Sequence, residues 1–473
     1  MRTVATPPPQ PWVAEARAER RESFRRRMAA ADLLVAVAWT SVALACGLFL
    51  AAGGAATTSL HDVGSLFTAA GILTGLAGTD LLLVMLVLAA RVPLIDRTFG
   101  HDKALAAHRH IGKPALYLLL AHAVLLTIGY GISDRTGPIA ETVTLLTSGR
   151  DMLLAYLGLA LLIGVVITSL TAVRRRFAYE AWHLLHLVSY VGIAVAVPHE
   201  LGQGAVLAHG SLERLYWIAL YIVAFGAMAV YRFARPVVVS LRHRFRVVAV
   251  ERVAEDVVSI HLAGRDIDRL GAEGGQFAIW RFWSRETWFH AHPVSFSTAP
   301  TGGTLRLTIR SLGAGTARLA DLRPGTFVSL QGPYGLFTDR ARTAPYLSVV
   351  TAGIGITPVR SLLEDADLRP GEATVLLRAS DERQQYLWEE VVRGVRATGG
   401  TAYTDTGHRP RGRATWMSAA AAARGVQLTT IFPNLLQSDL YVCGPGPWAD
   451  LVVRDARRAG LPRHRIHLER FEA

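Results

Sequence analysis

Residues 108–122 read HRHIGKPALYLLLAH, and residues 186–199 read HLVSYVGIAVAVPH. In each stretch a histidine opens, and another closes, a mostly apolar run. His108 and His122 are 14 residues apart; His186 and His199 are 13 apart. These spacings are about four and about three and a half helical turns, so each pair falls roughly on one helix face, with its two levels about 20 Å apart. An ionisable side chain in hydrocarbon is costly, which makes each of the four a functional candidate.

The surroundings set the stretches in a membrane. Hydrophobic residues make up 51% of the 473. Six apolar segments, near residues 30–52, 67–90, 111–131, 152–173, 181–199 and 213–233, each come close to the roughly 20 residues a bilayer crossing needs. The formal charge of +13 is concentrated at Arg17–Arg27, Arg91–Arg97, Arg174–Arg176 and Arg232–Arg246, beside apolar runs. That is the pattern of cytoplasmic loops and not of a nucleic-acid groove. Six crossings put both termini on the cytoplasmic side of a bacterial cytoplasmic membrane. Segments three and five then run the same way, so His108 faces His186 near the inner surface and His122 faces His199 near the outer one. Facing imidazoles suit bis-histidine haem iron, and two b-type haems at that separation would span most of the lipid core. His110 and His183 lie on other faces. Asp80 falls near mid-bilayer and has two readings, a proton relay or haem-pocket bond, or a wetted helix start. Two cysteines, Cys46 and Cys443, exclude an iron–sulfur cluster and a disulfide framework.

The expected organisation is a disordered cytoplasmic tail (1–29), a six-helix transmembrane domain binding two haems (30–236), an antiparallel β-barrel (237–342) and an α/β Rossmann-like domain (343–473). After Pro236 short β-rich runs with turn residues suggest the barrel. From Tyr346 strands alternate with helices, as in a parallel, doubly wound sheet.

Four motifs carry chemistry in this second half. His292-Pro293-Val294-Ser295 joins a β-run to a proline-fixed backbone. Arg310-Ser311 leads into Gly313-Ala314-Gly315-Thr316, where backbone amides beside glycine and an arginine suit an anion. Gly353-Ile354-Gly355-Ile356-Thr357-Pro358 follows a hydrophobic strand and opens a helix, as a pyrophosphate-binding turn does. Cys443-Gly444-Pro445 ends a strand about 90 residues later.

The order of these motifs resembles that of the ferric reductase and NADPH oxidase superfamily, whose reductase half is similar to ferredoxin–NADP reductases. The resemblance runs from about residue 30 to the end. It implies FAD on His292, Pro293, Val294, Ser295, Arg310, Ser311, Gly315 and Thr316. It further implies NAD(P)H on Gly353, Gly355, Thr357, Pro358, Gly444 and Pro445, with Cys443 beside the nicotinamide. Glu469 and Phe471 match the family's near-terminal segment, whose aromatic covers the flavin. Val294 departs from the family, which often has an aromatic there. Ser380 and Arg383 could read a 2′-phosphate, favouring NADPH over NADH, or could form a solvated loop.

A nicotinamide gives up two electrons together and a haem accepts one, so a flavin must stand between them. The expected path is NAD(P)H, FAD, the His108/His186 haem, the His122/His199 haem, then an extracytoplasmic acceptor. Arg109 could pair with a haem propionate or simply be a positive-inside residue. Short outer loops (132–150 and 200–212) favour a small acceptor, a ferric chelate or dioxygen. The alternatives are an extracytoplasmic redox protein as acceptor, or a haem-binding membrane sensor.

Overall fold

The computed structural model describes residues 12–51, 62–147, 149–202 and 211–471. Expectations for residues 1–11 of the tail and 203–210 of the second outer loop lie outside the described residues. The chain forms two compact units, Ala31–Ala234 and Met1–Ala30 with Arg235–Ala473.

The first unit is helical. In chain order its elements are α1 (Trp12–Phe49, whose first part belongs to the second unit), α2 (Val63–Ala89), α3 (Pro93–Phe99), α4 (His101–Ser133), α5 (Pro138–Thr147), α6 (Arg150–Ser169), α7 (Thr171–Arg174), α8 (Tyr179–Gly202) and α9 (Leu212–Ala227). A π-helical turn, Met228–Ala234, leads into α10 (Arg235–His243). Among the described residues six helices are long and apolar enough to cross a membrane: α1, α2, α4, α6, α8, and α9 continuing into α10. α5 occupies much of the segment read from sequence as the first outer loop. α2 starts where the Asp62 carboxylate accepts hydrogen bonds from the Gly64 and Ser65 amides, at 3.1 and 3.2 Å. Such caps satisfy amides that no helical carbonyl reaches.

Small residues let the helices close in pairs, as is common between membrane helices. A Cβ on Gly71 of α2 would lie 2.9 Å from Leu126 of α4, and one on Gly158 of α6 would lie 2.7 Å from the Gly192 carbonyl of α8. α2 therefore packs along α4, and α6 along α8. Leu83, Leu86, Leu116, Leu162, Ile193 and Trp217 form the shared core.

In the second unit the chain forms β1 (Arg246–Ala254), β2 (Val257–Ala263), β3 (Phe277–Phe282), β4 (His292–Ser295), β5 (Thr304–Arg310), a short α11 (Ala314–Ala317) and β6 (Val328–Tyr334). The expected closed barrel is instead two three-stranded antiparallel sheets, ordered β1-β2-β5 and β4-β3-β6. Arg246 and Phe327 form an isolated bridge outside the named pairings. A register shift between Val247 and Ala249 bends β1 next to that bridge, as an extra residue in a ladder does. Ile260, Leu262, Trp280, Phe282, Phe296, Leu307 and Leu330 fill one common core.

There follow β7 (Tyr346–Ala352), α12 (Ile356–Asp365), β8 (Ala373–Ala379), α13 (Trp388–Ala397), β9 (Thr401–Thr406), α14 (Ala419–Ala423), α15 (Leu428–Ile431), β10 (Ser438–Pro445), α16 (Gly446–Arg458) and β11 (Ile466–Phe471). The sheet order is β11-β10-β7-β8-β9, and each neighbouring pair is parallel. Strand order reverses between β7 and β10. In open α/β sheets that reversal leaves a crevice at the carboxyl ends of the two strands, where ligands bind.

The N-terminal tail differs from expectation from residue 12 onward, where α1 begins. Val13 and Ala16 are buried. Arg17 donates to Gln437 at 3.2 Å, and Arg20 sits 3.6 Å from Asp339 and 3.5 Å from Glu372. These partners order a segment whose composition alone reads as solvated.

Candidate functional site

The structure brings the four membrane histidines together as two pairs. The ring centroids of His108 and His186 are 6.0 Å apart and those of His122 and His199 are 6.4 Å apart, each pair inclined at 64°. Nδ1–H of His122 donates to the Gly71 carbonyl at 2.8 Å, and Nδ1–H of His108 to the Met85 carbonyl at 3.2 Å. A carbonyl can only accept, so in both rings the lone pair is left on Nε2, the nitrogen free for a metal. His186 Nδ1 lies 3.3 Å from Ser169 Oγ, and His199 Nδ1 is buried without a hydrogen-bond partner. Gly75 makes room for one ring: a Cβ there would collide with His122. Among the described residues the α4 and α8 Cα atoms stay more than 8 Å apart along nearly the whole length of both helices. The ring pairs therefore bridge two helices whose backbones do not pack closely on each other. An iron held by two imidazoles needs centroids about 6 Å apart, roughly twice the sum of a metal–nitrogen bond and half a ring. Both pairs meet that spacing.

Asp80 is buried, which corrects the reading of a wetted helix start. Its carboxylate accepts from Ser41 of α1 at 2.7 Å and from Tyr216 of α9 at 3.4 Å. Arg109 and His110 are exposed.

In the second unit, β4 presents the flavin signature. His292 is buried, and its Nε2 has no partner. A Cβ on Gly315 would lie 4.0 Å from the His292 ring, so the Gly313–Gly315 turn passes directly beside it. Burial, then the nearby charges of His290 and Arg281, push the His292 pKa down to about 4. A neutral imidazole is thus poised to donate a hydrogen bond to an incoming anion. Pro293 is exposed, Ser295 is buried, and Val294 packs on the sheet core with its carbonyl accepting from Trp280 Nε1 at 3.0 Å. Arg310 differs from expectation. Its Nε donates to Asp256 at 2.7 Å, and Asp256 also accepts from Tyr386 at 3.3 Å. The hydrogen bond to Asp256 holds the Arg310 pKa above its ordinary value. The Ser311 amide donates to the Asp256 carbonyl at 2.7 Å, and Thr316 Oγ1 accepts from the Leu312 amide at 2.9 Å. Both residues fix the turn itself.

The crevice at the β7/β10 reversal is built from the predicted glycines. Gly353 has φ +55°, a left-handed conformation that favours glycine. A Cβ on Gly355 would lie 2.6 Å from the Cys443 carbonyl, so the two strand ends meet there. Thr357 Oγ1 donates to the Ile354 carbonyl at 3.1 Å, and Pro358 is buried. No side chain caps the first turn of α12; the Ile356 amide bonds back to the Gly353 carbonyl and Pro358 has none, so an anion there would be drawn by the positive end of the helix. Gly444 lies against Trp448, and Pro445 stands opposite Phe471 in the β10/β11 register. Cys443 is fully buried, and burial, with Glu469 opposite in register, raises its thiol pKa well above the ordinary value. Phe471 packs half-buried on the core under β7 and β10.

Ser380 lines a cavity of about 630 Å³ together with His408, Arg409, Pro410, Arg411 and Arg413. Arg383 is exposed and bonds Asp381 at 3.3 Å, so the structure does not bring it into that lining. Sequence reasoning missed the three arginines, although the run His408-Arg409-Pro410-Arg411-Gly412-Arg413 is a charge cluster between two strands.

Residues 74–197 match the ferric reductase like transmembrane component family. The ferredoxin–NADP reductase B of Sorangium cellulosum is 31% identical over 192 residues, covering 38% of this chain and 77% of that one. The ferredoxin reductase component of 3-ketosteroid-9-alpha-monooxygenase from Rhodococcus rhodochrous is 29% identical over 211 residues, 44% of this chain and 58% of its own length. The chain thus spans little more than half of this latter relative. The flavohem-like FAD/NAD-binding domain of the Vibrio cholerae nitric oxide dioxygenase superposes with a TM-score of 0.40 at 20% identity, covering 49% of this chain and 100% of that domain. A ferric reductase-like transmembrane domain followed by a ferredoxin reductase-type FAD/NAD-binding module defines the ferric reductase and NADPH oxidase superfamily, and this chain belongs to it.

Proposed function

We propose that this protein carries electrons from cytoplasmic NAD(P)H across the membrane to a small extracytoplasmic acceptor, a ferric chelate or dioxygen. One observation carries the reading: two imidazole pairs at metal-binding separation face each other between α4 and α8 in the helical unit of a chain that also bears a reductase module. In this proposal His108 and His186 hold one b-type haem and His122 and His199 the other. His292 and the Gly313–Thr316 turn hold the FAD pyrophosphate; the unpartnered His292 Nε2 beside Gly315 fits that role. When bound, FAD and haem would supply the conversion of two-electron into one-electron transfer.

The chain's own residues do the rest. Met85 and Gly71 fix the ring orientation of His108 and His122 through their carbonyls. Gly353 and Gly355 admit the dinucleotide to the N-terminal end of α12. Arg409, Arg411, Arg413 and Ser380 line a basic cavity that suits a 2′-phosphate, which makes NADPH the favoured donor.

A reduced-minus-oxidised spectrum of the purified protein tests this directly. Addition of NADPH should develop a two-haem b-type spectrum, faster than addition of NADH. His186→Ala and His199→Ala should each remove about one of the two haems, because each takes away one of the two imidazoles that would hold it. Unchanged haem content in both variants rejects the ligand assignment. Wild-type haem that NADPH does not reduce points instead to a sensor. Oxidation of the reduced protein by ferric chelate or dioxygen then identifies the acceptor; inertness to both rejects a small one.

A further inference from the structure

The contact between the two halves of the reductase module is charged and directional, and it is built on α12. This helix begins at the glycine turn of the nucleotide crevice. Further along, Arg360, Ser361, Glu364 and Asp365 face the sheet that carries the flavin signature. Arg360 Nη1 donates to the Ser297 carbonyl at 2.6 Å, and Ser361 Oγ donates to the Thr298 carbonyl at 2.7 Å. Glu364 accepts from the Ala299 amide at 2.6 Å, and Asp365 from the Gly274 amide at 2.7 Å. Three consecutive residues following β4 are thus held by one face of one helix. A Cβ on Gly274 would lie 2.5 Å from the Asp365 Cβ, so the approach is already as tight as glycine permits.

Arg360 is the centre of this grip. Its Nε donates to Glu390 at 2.6 Å and its Nη1 to Glu364 at 2.8 Å. Glu390, at the start of α13, also accepts both Nη groups of Arg306, at 3.1 and 2.9 Å. Arg306 Nε in turn reaches Ser297 Oγ at 3.3 Å. The side chains of Arg360 and Arg306 are 17% and 11% exposed, sheltered enough for these charge-assisted bonds to be strong.

We infer that Arg360 is a positioning residue for hydride transfer: it ties the segment that follows the flavin signature to the helix whose first turn faces the dinucleotide. Nucleotide binding and flavin placement are then one mechanical event. Hydride transfer moves a hydrogen with two electrons from the nicotinamide ring to the flavin ring, oxidising the first and reducing the second. Its rate is steeply sensitive to small misplacements of the two rings. The inference rests on the NAD(P)H and FAD reading above.

Full-length protein with FAD in detergent supplies the test, with hydrogen exchange and rapid mixing as readouts. In the wild type, NADP⁺ should increase the exchange protection of residues 297–299. In Arg360→Ala that response should vanish. At saturating NADPH, flavin reduction in Arg360→Ala should slow by about tenfold or more, while the nucleotide concentration for half-saturation moves by less than about threefold. Arg360→Lys keeps the charge but lacks the planar fork that spans Glu390 and Ser297, so it should restore only part of the rate. Glu390→Gln removes the shared acceptor charge without changing shape; it should show the same split, and it decides the matter should Arg360→Ala lose FAD. Wild-type flavin that NADPH does not reduce overturns both the functional reading and this inference. A wild type that is reduced, with variants that match its rate within about twofold and keep the exchange response, overturns the inference alone.

Discussion

His292 shows how a single side chain reports on a ligand. It is buried, Nε2 has no protein partner, and burial holds its pKa at about 4. Leaving a buried donor unpaired costs about 1–3 kcal/mol, a cost that a bound anion would relieve. His292→Leu should therefore weaken FAD binding by about 10- to 100-fold, read by flavin fluorescence on titration. An unchanged affinity removes His292 from the site. The pKa also gives a pH dependence. The folded value, about 4, lies below the ordinary 6.5, so on acidification the unfolded chain takes up the proton first. The stability from a neutral His292 is complete above about pH 6.5 and is lost as pH falls toward 4. Thermal unfolding of the FAD-free protein should show a shallower slope over that window in His292→Gln than in the wild type. Parallel slopes would mean that another group titrates. The histidine itself was legible in the motif; its orphaned nitrogen was not, because partner counting needs a three-dimensional neighbourhood. Arg310 shows the converse. Its place beside the glycine turn suggested a phosphate contact; that its Nε also donates to Asp256, more than 50 residues earlier, could not be read from the motif.

At the scale of elements, periodicity and length located the six long helices and most strands, since an apolar run of 20 residues has few alternatives in water. Edge strands were harder. β9, with the sequence TAYTDT, and β11, with IHLERF, carry too few apolar residues to stand out, and their place in the sheet comes from pairing with β8 and β10. The start of α1 was hidden for a different reason. Its alternating arginine and glutamate signal solvation, yet the segment finds fixed partners near the amino ends of the parallel strands. Fully buried Arg342 is the hub, with ion pairs to Glu372 at 2.6 Å and Asp339 at 2.8 Å; Arg20 adds a longer approach to the same two carboxylates. The two arginines should therefore differ in weight. Arg342→Ala strands Glu372, itself 3% exposed, without its main counter-charge, and should cost about 3–5 kcal/mol. Arg20→Ala gives up only long, partly screened contacts and should cost about 1 kcal/mol or less. Thermal denaturation of the two variants checks the ranking. Equal losses would mean that the α1 segment carries as much of the network as the domain interior does.

The whole molecule is two folding problems on one chain. One apolar core, around Leu83, Leu116, Leu162 and Trp217, lies within residues 45–228. Three others, centred on Trp280, on Val349 and on Val442, lie within residues 239–471. The described cores thus divide along the chain, the first ending at Met228 and the others starting at Val239 within α10. This explains why order along the sequence was so informative: each chemical motif lies within one half, and what had to be seen in three dimensions was the partners, such as the helix face that grips residues 297–299. It also implies separability. A chain of residues 235–473 retains all three reductase cores and both nucleotide motifs, and gives up the partners contributed by Arg17 and Arg20. Expressed alone, it should fold as a soluble flavoprotein and reduce an artificial dye with NADPH. Its melting temperature should be a few degrees below that of the same module carrying residues 12–30, since those contacts are worth about 1–2 kcal/mol together. It should contain no haem, and added haem should remain unreduced by NADPH in its presence. Failure of this fragment to fold or to bind FAD would show that the reductase cores do not suffice alone. Haem bound by the fragment would relocate the haem site away from the four membrane histidines.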